Sequence, residues 1–230
     1  MGAFGIQYLF TFHDGAHALF DLRFDERTFE RLDRPSVPLP EWTALDFHKC
    51  PHCPLDSARR ARCPLAADLA GVVGQFDGWM SYEKVYLEVQ TDARIISQYT
   101  TVQEGLSSLL GVLAASSGCP RTAWLRPMAR FHLPLANDEE TVFRTTAAYL
   151  LARHFAGESP DTDDLSGLRA LHAELQVLNQ SLAKRLRAAT ESDALVNALV
   201  RLDNNTRAAV FDKRLGEFAR LFTNLPEAAL

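Results

Sequence analysis

Residues Ile6 to Phe24, IQYLFTFHDGAHALFDLRF, decide the fold class. Tyr8, Phe10 and Phe12 fall on alternate positions, and beyond His13-Asp14-Gly15 the pattern resumes with Leu22 and Phe24 in step. Alternation at period two marks a strand with one buried face, and two such runs about a glycine-containing turn mark a β-hairpin. Asp25 to Leu32 completes the unit. Pro35, Pro38 and Pro40 then predict an extended connector, because proline lacks the ladder donor and keeps its predecessor out of helix.

Outward from the hairpin, Lys84 to Val89 (KVYLEV) alternates cleanly and predicts another strand. Arg94 to Val102, rich in β-branched and aromatic residues, pairs with it through a Thr91-Asp92 turn. Trp42 to Phe47 reads as a further short strand. Helical spacing follows Pro64 (Leu65, Leu69, Val72, Phe76) and runs from Glu104 to Ser117 and from Asp138 to Phe155. Residues 157–164 read as a loop. Leu168, Leu171, Leu175, Leu178, Leu182 and Leu186 step by threes and fours, an apolar seam on one long helix. Ser192-Asp193 caps a last helix carrying Leu195, Leu199, Leu202, Phe211, Leu215, Phe218 and Phe222, which bends or meets two neighbours where its stripe changes face. The expected fold is α+β. It has a small, mostly antiparallel sheet with an N-terminal hairpin, a cysteine-rich metal loop and a helical C-terminal half. Residues 1–135 form the α+β part, and residues 136–230 pack on it as one compact unit.

The 230 residues, 47% apolar and 23% charged, suffice for a sizeable core. A net charge of −5 argues against nucleic acid and against an anionic membrane surface as partners. No apolar run is long enough to span a bilayer, and the N-terminus lacks the basic start and cleavage pattern of a signal peptide. A cytoplasmic, reducing location follows. There, four thiols point to metal ligation or redox chemistry rather than structural disulfides.

Those thiols are Cys50, Cys53 and Cys63, spaced C-x2-C-x9-C, and the distant Cys119, each followed directly by proline. Two thiolates two residues apart can hold one tetrahedral ion from a single turn, and a third and fourth close the shell. Cys-Pro-x-Cys resembles the metal knuckle of zinc ribbons and rubredoxins, although Pro54 stands where those knuckles place glycine. Structural zinc is the favoured cofactor, with an iron–sulfur cluster second. His48, His52 or His132 could replace one sulfur. Cys50-Pro51-His52-Cys53 also matches the Cys-Pro-His-Cys motif of periplasmic DsbA-type thiol oxidases, which makes a redox role the third reading.

Beyond Cys119, Arg121, Arg126, Arg130 and His132 crowd together, and Arg144 follows on the next helix. They either bind an anion, or offset a tetrathiolate's charge or simply face water. The first choice makes the protein a metal- or thiol-dependent enzyme for a small anionic substrate near Arg126, Arg130 and His132. The second makes it a binding or regulatory module. Glu139, Glu140, His132 and His154 are a further acid–base candidate set. The leucine seam either packs within the chain or receives a protein partner or second copy through the C-terminal helices. Taken together, CPHCPL, CPLAADL, SGCP and RPMARFHLP resemble the signature of a bacterial family of unknown function, and that resemblance implies no activity.

Overall fold

In the computed structural model, which describes residues 2–33, 38–157, 165–204 and 207–222, four strands form one antiparallel sheet. They are β1 (Ala3–Phe12), β2 (His17–Asp25), β3 (Lys84–Thr91) and β4 (Ile95–Thr101), in the spatial order β2-β1-β3-β4. Tyr8 stands opposite Phe20 on one side and Val89 on the other, so the three share a face, and all three are buried. The period-two alternation sets this register, since a slip of one residue would turn every aromatic to solvent. Gly15, at φ +85°, closes the hairpin, helped by Asp14 Oδ1 accepting the Ala16 N–H at 2.9 Å.

Seven helices cover the buried face and extend beyond it. They are α1 (Pro64–Val73), α2 (Val102–Ser116), α3 (Arg126–Arg130), α4 (Asp138–Phe155), α5 (Ser166–Ala189), α6 (Ala194–Asn204) and α7 (Ala208–Phe222). Capping boxes start α2 (Thr101 with Glu104) and α4 (Asn137 with Glu140), satisfying first-turn N–H groups that would otherwise lack partners. Leu106, Leu109, Leu110 and Leu113 of α2 join the sheet aromatics in the main core. Leu178, Leu182 and Leu186 of α5 and Leu195 and Leu199 of α6 join the same core. Val142, Leu165, Leu168, Phe211 and Phe218 make a second, smaller cluster. The leucine seam is therefore buried within its own chain. No helix among the described residues is long and apolar enough to cross a membrane.

Two expectations are corrected. Trp42 to Phe47 is not a strand: Glu41–Thr43 is a 3-10 turn, and only an isolated bridge, Ala44 to Arg62, follows. The carbonyls a neighbouring strand would use are taken by an arginine of α5. The last helix is two, α6 and α7, and the stripe's change of face marks the break between them. Pro35, the Phe222 side chain and residues 158–164 of the expected loop lie outside the described residues.

Candidate functional site

The cysteine loop is held to the rest of the fold by two arginines bonded to backbone carbonyls. Arg185 of α5, 2% exposed, donates Nη1 to the Trp42 and Ala44 carbonyls at 2.8 and 2.7 Å. Its Nη2 donates to the Leu45 carbonyl at 2.9 Å. Among the described residues it has no carboxylate within ion-pair distance. Arg121, two residues after Cys119, donates Nε and Nη2 to the His52 carbonyl at 2.9 and 2.7 Å, while its Nη1 pairs with Glu174. The Cys119 turn is thereby tied to the Cys50–Cys53 turn.

Local structure aims the thiols into this corner. The Cys53 N–H donates to the Cys50 carbonyl at 3.0 Å, closing the first turn. Cys63 precedes the first turn of α1 with Pro64 behind it, and its N–H is fixed on the Thr43 carbonyl at 2.9 Å. Gly118, at φ +79°, reverses the chain after α2 and delivers the buried Cys119. All four thiols are free. Burial raises the Cys50 pKa; a hydrogen bond from Ser181 opposes this, Cys63 and Cys53 reinforce it, and the Arg185 charge opposes it. Burial likewise raises the Cys119 pKa, with Cys63 and Cys50 adding to the shift. Each of the four sulfurs thus lies within the electrostatic reach of at least one other.

As the side chains stand, no three His, Cys, Asp or Glu groups among the described residues are arranged to hold a metal ion. The donor chemistry nevertheless suits one: four thiols share a corner, and both ring nitrogens of His52 are buried without a hydrogen-bond partner. His48 is exposed, at φ +46°, with its ring against Phe47. His132 is engaged elsewhere, on the Tyr8 hydroxyl.

The arginines proposed for an anion have separate protein partners. Arg126 pairs with Glu30 at 3.0 Å, and Arg130 lies over the Phe4 ring. Arg144 donates to the Met128 and Phe131 carbonyls. Glu140 is engaged in capping α4, whereas His154 sits in that helix's last turn, roughly 20 Å away at 1.5 Å per residue. The two do not form one acid–base site.

Sequence reasoning missed a second region, enclosed by α2, α3, α4, α5 and α6: a cavity of about 270 Å³. His132 and His172 line it with Trp124 and Ser108. Tyr8, Ser108 and His132 form a hydrogen-bonded chain anchored by the Leu135 N–H on Ser108 Oγ. Burial raises the Tyr8 pKa. Burial, with help from the Arg144 charge, lowers His132 to about 3, and burial alone lowers His172 to about 4. All are neutral near pH 7. A signal for some of this did exist: His172 and Arg185 flank the leucine seam, four residues after Leu168 and three after Leu182.

Fold and site together define an α+β protein whose antiparallel sheet and helical layer carry a thiol corner and a separate cavity. The chain belongs to the family described as Domain of unknown function (DUF6901), whose model matches residues 6–223. No curated protein and no solved structure matches it.

Proposed function

We propose that the protein is a metal-binding module in which Cys50, Cys53, Cys63 and Cys119 hold one metal centre, zinc in preference to an iron–sulfur cluster. The observation that carries this reading is the Arg185 charge. A buried guanidinium normally has an anionic partner. Arg185 has only carbonyls, and the group beside it that can become an anion is the Cys50 thiol. A bound divalent ion would convert thiols to thiolates at neutral pH and cross-link them. Arg185 would then face the negative charge it lacks, and Arg121 would brace the His52 carbonyl within the first turn.

The reading requires the four side chains to rotate toward one point. It makes the metal a fastener between residues 45–63 and the turn after α2, in a regulatory or binding module of a reducing compartment such as the cytoplasm. The test is elemental analysis of protein purified without oxygen, with an absorption spectrum and a melting curve before and after chelation. About one zinc per chain, no visible colour and a lower melting temperature after chelation are expected. A brown protein would assign iron–sulfur instead. A metal-free protein whose melting is indifferent to chelator and whose Cys50 and Cys53 form a disulfide would replace this reading with a redox one.

A further inference from the structure

The cavity is independent of the thiols, and its chemistry is unlike theirs. Its volume of about 270 Å³ lies just below the usual range for small-molecule sites. Small residues of α2, Gly111, Ala114 and Ala115, open it, and Val112, Leu175 and Leu178 give it apolar walls.

The charged groups on the lining balance, and both of its arginines are already engaged. Glu104 is paired with Arg201 at 3.2 Å, and Arg144 is held on two carbonyls. Asp138 sits in the first turn of α4, within the field of Arg214. Both histidines are uncharged, because burial makes protonation unfavourable there. Three polar groups on the lining are not engaged: Trp124 Nε1 and His172 Nδ1 are buried with no hydrogen-bond partner, and the hydroxyl of buried Ser107 has none among the described residues. An anionic ligand entering this space would lose its hydration and meet no free counter-charge. An uncharged apolar ligand would bury its surface and gain a hydrogen bond.

We propose that this cavity is a binding site for a small, uncharged, mainly apolar molecule carrying one hydrogen-bonding group, anchored at Ser107. Titrating the full-length protein near neutral pH with naphthol, and separately with naphthoate, tests this by calorimetry. Saturable one-to-one binding of naphthol is expected, with naphthoate weaker by about tenfold or more. Gly111→Leu should abolish naphthol binding. A Cβ on Gly111 meets only the Leu202 side chain, at 3.8 Å, so the variant can fill the cavity without striking the backbone. Ser107→Ala should weaken binding several-fold, and circular dichroism and melting curves verify that both variants fold. Absence of saturable naphthol binding by the folded protein would overturn the proposal. So would naphthoate binding as tight as naphthol, or unaltered affinity in folded Gly111→Leu. None of these results bears on the metal reading, which the chelation experiment decides by itself.

Discussion

The thiol corner and the cavity both bury polar groups against α5, and they solve the problem in opposite ways. In the corner a full positive charge, Arg185, is kept inside by three carbonyl acceptors. Around the cavity, charge is removed: His132 and His172 are neutral, Glu104 and Arg201 are paired, and Arg144 is hydrogen-bonded to two carbonyls. The two histidines are cheap to keep neutral because their ordinary pKa is near 6.5, whereas a guanidinium cannot release its proton. An arginine beside an apolar seam therefore has to be built around. A histidine at the same kind of position needs only to lose its charge.

Three measurements can break or sharpen that contrast. Arg185→Met has the largest expected effect, since it leaves three carbonyls without their donor. A loss of roughly 3 kcal/mol or more in urea unfolding is expected, at about 1–3 kcal/mol per unsatisfied buried group. A loss below about 1 kcal/mol would mean that water reaches those carbonyls and the corner is not a dry charge site. The cavity should be the acid-sensitive region. The folded-state pKa of His172 lies below its unfolded value, so between about pH 6.5 and 4 the unfolded chain binds the extra proton. The stability is complete above pH 6.5, declines as pH falls toward 4 and levels off below it. The loss is about 3 kcal/mol from His172, with His132 extending the decline to lower pH. His172→Phe should flatten this slope in unfolding curves taken across the window, and an unchanged slope would mean the imidazole is already solvated.

The smallest effects come from two glycines on α2, one facing the sheet and one facing the cavity. A Cβ on Gly105 would lie 2.6 Å from the Phe10 ring and 3.4 Å from Leu87. Gly105→Ala should therefore destabilise the fold by about 1–3 kcal/mol despite alanine's better helix propensity. Gly111→Ala meets nothing closer than 3.8 Å and should stabilise by up to about 1 kcal/mol. Melting curves that moved the same way for both would show that α2 does not separate a packed face from an open one.

The hairpin, the β3–β4 pair and α1, α2, α4 and α5 were legible because each signal is local, whereas α6 and α7 read as one helix. Tyr8, Phe10 and Phe12 alternate, Leu168 to Leu186 repeat at helical spacing, and Pro64 sits at a first helical position. Short α3 was missed, since five residues around Pro127 are too few to show a period. Trp42 to Phe47 misled because its apolar residues suit a strand, but its pairing with residues 61–63 stops at a single antiparallel bridge, Ala44 to Arg62. Its backbone acceptors are instead taken by Arg185, 143 residues after Trp42. The candidate anion-binding arginines are engaged by the protein itself. Arg126 pairs with Glu30 and Arg130 lies over the Phe4 ring, partners about 100 or more residues away that no local pattern announces.

From the chain alone came the α+β class, the N-terminal hairpin with its buried aromatic face, the β3–β4 pair and the four thiols as candidate ligands. Each follows from spacing along the backbone, which strands and helices convert directly into faces. Tertiary structure alone decided that Arg185 stands uncompensated by any carboxylate beside Cys50, that Arg121 ties the two cysteine turns together, and that a cavity opens among five helices. Those outcomes depend on the volume and charge left where distant segments meet, and no local pattern records what will be packed opposite it.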